Sequence, residues 1–442
     1  MTSVPGFSAS VFQNEFLVEG ATEVNGVVTV TSAGGAAAAA PDSSEKAVVL
    51  IVDTSGSMEA PSSKIRAARK AAATACQMLP DGTLFALVIG YDAAECAYPP
   101  TGRLVRADHQ TRNEAAQVAS HLTGSGGTAI STWLDLAREL FEPHPNAIRL
   151  AYLLTDGENR EDAGALQTAV QRATGVFQCD ARGVGADWHV RELRMITSAL
   201  LGEVDIIKDP DQMDDDFRAF LDRAISKSVA DVRLRIWAPK GSTVRFLRQV
   251  APTIEDLTPK AQPVDALTRE YPTGAWAGDE SRDYHLFVDV PPGNVGDEKL
   301  AARVSLMVGP DVVSQGLVRA VWTDDDALST RINAQVAHYT GQAELAQVIQ
   351  EGLQARKDGD LDSATIKLGR AVQLAAESGN EGTMRVLRKV VEVQDEATGT
   401  VRVKRNVEKL DEMELDTRST RTVQVKRAAP TPPAPAGPTG TV

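Results

Sequence analysis

Two aspartates, two serines and a threonine, each standing where an apolar or glycine-rich run gives way to a turn or a helix, carry the clearest chemistry in this chain. Residues 48–52 (Val-Val-Leu-Ile-Val) run straight into Asp53-Thr54-Ser55-Gly56-Ser57. An uninterrupted apolar run suits a strand buried on both faces of a parallel sheet, and ligand sites gather at the carboxyl ends of such strands. Asp53, Ser55 and Ser57 offer one carboxylate and two hydroxyls at alternating positions. All are hard oxygen donors, and they converge on one point if the turn curls around a divalent cation of the Mg²⁺ type. Gly124-Ser125-Gly126-Gly127-Thr128 then precedes an apolar-periodic stretch of Ile130, Leu134, Leu136 and Leu140. Thr128 therefore stands at a helix entrance, beside glycines that let the backbone approach closely. A second buried run, residues 150–154, ends in Thr155-Asp156-Gly157. Asp53, Ser55, Ser57, Thr128 and Asp156 are thus expected at one edge of one sheet.

The order Asp-x-Ser-x-Ser, Gly-Gly-Thr, Thr-Asp-Gly resembles the von Willebrand factor A domain and its metal-ion-dependent adhesion site, over residues 45–228. The resemblance implies that Ser55, Ser57 and Thr128 are inner ligands, while Asp53 and Asp156 balance charge and act directly or through water. It implies Mg²⁺, with Mn²⁺ or Ca²⁺ as substitutes, and one coordination position open to an Asp or Glu of a partner protein. Neutral hydroxyl ligands leave such an ion electrophilic enough to capture a carboxylate. A metal-dependent phosphoester hydrolase is the alternative, and it would add a base or nucleophile near the ion. No histidine falls in the three segments, and the nearby Glu59 reads first as a helix-start glutamate. P-loop, dinucleotide-binding and nucleophile-elbow patterns are all absent. The expectation is a binding module and not an enzyme.

Composition narrows the setting. With 46 Lys and Arg against 60 Asp and Glu, the net charge of −14 argues against nucleic acid as the main partner. No apolar run of about 18 residues is present, and the first residues lack a basic-then-apolar leader pattern. Cys76, Cys96 and Cys179 are too few and too scattered for a disulfide framework. A cytoplasmic protein with no membrane attachment is expected.

The elements that must position the five oxygens follow from the pattern. Apolar strands alternate with amphipathic helices across residues 45–228, which predicts a multidomain α/β chain with a doubly wound, mainly parallel sheet. Asp209, Asp211, Asp214, Asp215 and Asp216 precede its last helix and suit the helix dipole. Trp188 falls at the ligand edge, either lining the partner face or packed over the helix beneath. Residues 1–40 read as strands and an alanine-rich linker, and residues 230–325 as an antiparallel β-sandwich. Two strands alone are marginal, so the first strands are expected to join the sandwich, with the α/β domain inserted between its parts. Residues 328–395 read as a helical bundle, and residues 396–442 as a flexible tail.

Within that tail an acidic run precedes Thr417 and Thr420, a pattern that resembles substrates of acid-directed Ser/Thr kinases and offers a phosphothreonine to a forkhead-associated domain. The domain order and alanine-rich style resemble cytosolic A-domain proteins of actinobacteria. That likeness implies a scaffold in kinase- or phosphatase-linked signalling or stress resistance, or else an assembly factor for an AAA+ ATPase or metal-chelatase machine.

Overall fold

The computed structural model describes residues 6–33 and 45–424. Most of the alanine-rich linker and the last part of the expected flexible tail lie outside these residues. The first strands, β1 (Gly6–Gln13), β2 (Phe16–Leu17) and β3 (Glu23–Ala33), do not form a sheet of their own. β1 pairs antiparallel with β3, and β3 takes its second partner, β16, from more than 200 residues later.

Between them lies the α/β domain. Its elements are β4 (Lys46–Asp53), α1 (Ser63–Met78), β5 (Leu84–Gly90), β6 (Ala94–Tyr98), β7 (Val105–Arg106), α2 (His109–Ser120) and α3 (Ile130–Phe141). It continues through β8 (Ile148–Thr155), α4 (Ala163–Ala173), β9 (Gln178–Val184), α5 (Val190–Ala199), β10 (Val204–Ile207) and α6 (Met213–Ser226). The sheet order is β10-β9-β8-β4-β5-β6, with β7 also on β5. β4 is central and parallel to both β5 and β8. Its side chains alternate between two cores: Val48, Leu50 and Val52 pack with α1 and α6, while Ala47, Val49 and Ile51 pack with α3, α4 and α5. An apolar run with no polar alternation is what a strand covered on both faces requires. Along α1, alanines 68, 71, 72 and 75 are fully buried and let the helix lie close to the sheet. The antiparallel edge strand β6 carries Glu95 and no apolar run, so its sequence gave no strand signal.

After α6 the chain re-enters the sandwich as β11 (Lys227–Trp237), β12 (Thr243–Ala251), β13 (Glu255–Asp256), β14 (Gln262–Pro263), β15 (Thr268–Ala277), β16 (Ser281–Asp289), β17 (Glu298–Val308) and β18 (Asp311–Trp322). One sheet has the order β1-β3-β16-β12-β13 and the other β14-β15-β11-β17-β18-β2. The α/β domain is therefore inserted between β3 and β11. Val24, Val28 and Val30 of β3 enter the core between the sheets, where Trp276, Leu286 and Leu306 meet them.

Helices close the molecule: α7 (Asp326–Ser329), α8 (Ala334–Lys357), α9 (Leu361–Glu377) and α10 (Glu381–Val390). Asp360 and Asn380 cap α9 and α10, each accepting a backbone N–H three residues on at 3.0 Å. No helix among the described residues is long and apolar enough to cross a membrane.

The expectation of a flexible tail from residue 396 is corrected for residues up to 424. β19 (Val391–Asp395) and β20 (Thr400–Val403) form a hairpin, and α11 (Lys409–Arg418) packs against α5, α8, α10 and β10. The acidic run had read as solvated, but its charges have partners on other elements. Glu414, 5% exposed, takes Lys208 and Lys389 at 2.8 Å each, Asp416 takes Arg194 at 3.0 Å, and Met413 and Leu415 bury beside them.

Candidate metal centre

Three loops at the carboxyl ends of β4 and β8 and before α3 are laced together by their own backbones. The Ser125 N–H donates to the Thr54 carbonyl at 2.7 Å, and the Gly56 N–H to the Gly126 carbonyl at 3.0 Å. The third loop ties to the second through Arg160 N–H to the Thr128 carbonyl at 2.9 Å, and through Glu161, which accepts from the Ser131 N–H at 2.9 Å. Gly126, at φ +76, occupies the left-handed region that glycine adopts freely. These ties fix the geometry of the side chains that the loops carry.

All five predicted oxygen residues fall in this corner. Asp53 Oδ1 accepts from the Ser55 N–H at 2.7 Å. The Ser55 and Ser57 hydroxyls are 2.9 Å apart, and Ser57 donates to Asp156 Oδ1 at 2.6 Å. Thr128 is joined to the group through Gly157. A Cβ at that glycine would stand 3.0 Å from Thr128 Oγ1, 3.2 Å from Ser57 Oγ and 3.9 Å from Asp53 Oδ2. Hydroxyls and carboxylate thus face one small space that any side chain at position 157 would crowd. An all-oxygen donor set around such a space fits a hard divalent cation. Among the described residues no cluster of three His, Cys, Asp or Glu offers a competing metal site.

Two contributors escaped the sequence reading. Thr155 donates to Asp53 Oδ2 at 2.6 Å and so orients the first carboxylate. Lys64, in the first turn of α1, reaches Asp156 Oδ2 at 2.6 Å, with side-chain exposures of 9% and 0%. Its signal was present: Lys64 lies on the helix face that Ala68, Ala71 and Ala75 bury, and a lysine there needs a partner. Burial pushes the Asp53 carboxyl up to about 6 against the hydrogen bonds from Ser55 and Thr155. With both carboxylates ionised, Lys64 reduces the local charge from −2 to −1.

Other candidates are placed differently. Thr417 is 1% exposed in α11, and its hydroxyl has no hydrogen-bond partner. Thr420 is half-buried, and its carbonyl accepts from the Ile254 N–H at 2.8 Å. Neither is an open kinase site, because the segment is docked. Trp188 is 2% exposed; its ring lies over Gly183 and its indole N–H donates to the Gly185 carbonyl at 2.9 Å, so it packs inward. Asp214 pairs with Arg218 at 3.1 Å and Asp216 with Arg182 at 2.8 Å, which makes them structural. Glu59 accepts from the Gly124 N–H at 2.9 Å and lies 3.7 Å from Arg69.

Comparison with known proteins finds relatives of this fold. Residues 46–205 match the model of the von Willebrand factor type A domain, and residues 373–419 that of the von Willebrand factor type A C-terminal domain. The solved structure of a von Willebrand factor type A protein from Catenulispora acidiphila is 49% identical, with a TM-score of 0.91 over 96% of this chain and 98% of its own. The ArnB paralog VWA2 from Sulfolobus acidocaldarius shares the fold at 16% identity and TM-score 0.59, over 94% of this chain and 98% of its own. The human COPII-coat protein Sec24c shares it at 11% and 0.51, over 86% of this chain and 58% of its own. No protein with a curated description matches the chain.

Proposed function

The chain belongs to the von Willebrand factor type A family, and we propose that it is a cytoplasmic adaptor that captures an acidic side chain of a partner protein through Mg²⁺ held at this corner. The observation that carries the reading is the convergence of Ser57, Thr128 and Asp53 oxygens on the space beside Gly157. Ser55, Ser57 and Thr128 would hold the ion, which supplies a Lewis-acidic site for an incoming carboxylate. Asp53 and Asp156 remain in hydrogen bonds to Thr155 and Ser57 and tune the charge. Uncharged inner ligands leave the cation's demand for negative charge to be met by the partner.

What supports binding over hydrolysis is a donor set built of hydroxyls, beside which Glu59 is tied into the fold. Glu59, just beyond the first motif, is held by Gly124 and Arg69, whereas a general base must reach the proton that it removes. Capture of partner proteins from native extract should require Mg²⁺, disappear with chelator, and fall at least tenfold, by about 1.4 kcal/mol, in Ser55→Ala and Asp156→Ala. Metal-dependent turnover of a phosphoester such as p-nitrophenyl phosphate, lost in the same variants, would overturn the adaptor reading in favour of a hydrolase.

A further inference from the structure

Beside the metal corner, a cleft of about 620 Å³ opens between the start of α5, the end of α8 and the start of α11. It adjoins the corner through two contacts. His189, at its rim, lies 3.2 Å from Glu158, two residues beyond Asp156. Asp187, two residues before His189, lies 4.0 Å from Lys64, the partner of Asp156. Residues 187–189 thus link the metal corner to the rim of the cleft.

The charges that line it are unbalanced. Two of its three acids are already engaged within the fold, Asp416 by Arg194 at 3.0 Å and Glu412 by Arg356, while Glu192 lies 3.5 Å from the His189 imidazole. Its remaining cations are not engaged. Arg191, Lys357 and Lys409 are exposed, and their side chains have no ion pair or hydrogen bond among the described residues. On a chain whose net charge is −14, three free cations facing one concavity are a local reversal of sign. Of the two rings in the lining, Trp188 is buried and only the His189 imidazole at the rim is exposed, so the cleft offers successive nucleic-acid bases no run of aromatic platforms.

We propose that this cleft receives the acidic residues flanking the carboxylate that the metal captures, so that the partner is recognised as an acidic peptide segment and not as a lone Asp or Glu. The inference rests on the adaptor reading above and deepens it. Exposed cations at a binding rim select partners and speed encounter, and their effect falls with salt.

The test uses the full chain and two fluorescein-labelled peptides, read by fluorescence anisotropy in Mg²⁺ and in chelator: one with a single Asp in a Gly/Ser background, and one with the same Asp flanked by glutamates. The flanked peptide should bind about tenfold tighter at low salt. Arg191→Ala/Lys357→Ala/Lys409→Ala should abolish that gain and its salt dependence, while the single-Asp peptide keeps its Mg²⁺-dependent binding and the melting temperature stays unchanged. Retention of the gain in the triple variant overturns the inference and leaves the adaptor reading standing. Tighter binding of oligothymidylate than of the flanked peptide also overturns it. If the flanked peptide binds without regard to Mg²⁺ and loses affinity in the triple variant, the cleft stands and the metal-capture reading fails.

Discussion

Lys64 is the residue that most separates this metal corner from a simple pair of acidic loops. Its ammonium is buried against Asp156, and removing one member of such a pair leaves the other charge without compensation. Lys64→Met should therefore destabilise the metal-free protein by about 3–5 kcal/mol and tighten Mg²⁺ binding as the local charge returns to −2. Thermal melts in chelator and titration calorimetry with Mg²⁺ check the two halves separately; a variant weaker in both would show that Lys64 only supports the fold. His285 supplies a second test, in the sandwich. It is 6% exposed with its ring edge on Phe246, and burial, with Arg248 nearby, lowers its pKa from 6.5 to about 4. The unfolded chain binds this proton below pH 6.5 and the folded chain only below about 4. The contribution to stability is thus full above pH 6.5 and is lost as pH falls through that window, by up to about 3 kcal/mol. Urea midpoints of the wild type should drop more steeply between pH 6.5 and 5 than those of His285→Gln. At this scale the metal ligands were legible because each occupies a strand end or helix entrance that the apolar pattern marks. The burial of Lys64 was signalled by its place on the apolar face of α1, but the partners of Lys64 and Thr155 lie far away in the chain and spacing carries no record of them.

The element whose nature the sequence concealed is α11. Residues 409–418 combine acids, hydroxyls and few apolar side chains, which locally resembles a solvated segment. What orders it is a set of cations supplied by other elements, Lys208, Lys389, Arg194 and Arg356, together with burial of Met413 and Leu415. Burial works to raise the Glu414 carboxyl, and the hydrogen bonds from Lys208 and Lys389 override it, holding its pKa below the ordinary range. Nothing in the local pattern announces partners that tertiary structure brings in. The strands β4, β5 and β8 were legible for the opposite reason, because each carries its own apolar signal on both faces. Thr417 turns the difference into a test. Its hydroxyl is buried without a partner, so Thr417→Val removes an unsatisfied polar group and should raise stability by about 1 kcal/mol. Thr417→Glu would place a charge there and should lower it by at least about 3 kcal/mol. A segment that behaved as a free tail would show neither change in urea denaturation.

At the scale of the whole molecule, β3 holds together parts of the chain that are far apart in sequence. It sits between β1 and β16, and both of its faces are covered. Val24, Val28 and Val30 fill the sandwich core, while Val27 packs with Val250, Val336 and Tyr339, the last two from α8. Thr29 of β3 and Tyr339 of α8 both donate to the carboxylate of Asp283 on β16, so one buried acid joins the strand, the sheet and the bundle. Four buried valines at roughly 1.5–3 kcal/mol each amount to about 6–12 kcal/mol, which is comparable with the roughly 5–15 kcal/mol stability of a typical native protein. The α/β domain depends far less on the rest, since β4 to α6 form a complete open sheet whose two cores take only Ala275 of β15 and Met413 and Leu410 of α11 from outside it. Removing residues 1–44 should therefore expose the β16 edge and unfold the sandwich while the inserted domain persists. Limited proteolysis of the shortened chain should leave a protected fragment near residues 45–226 and digest residues 230–322, whereas in the full chain both segments resist. If the shortened chain is as resistant as the full one, β3 is dispensable and the insertion has no energetic meaning. If the inserted fragment is lost as well, the metal corner depends on the sandwich beneath it, and the two must be treated as one cooperative unit.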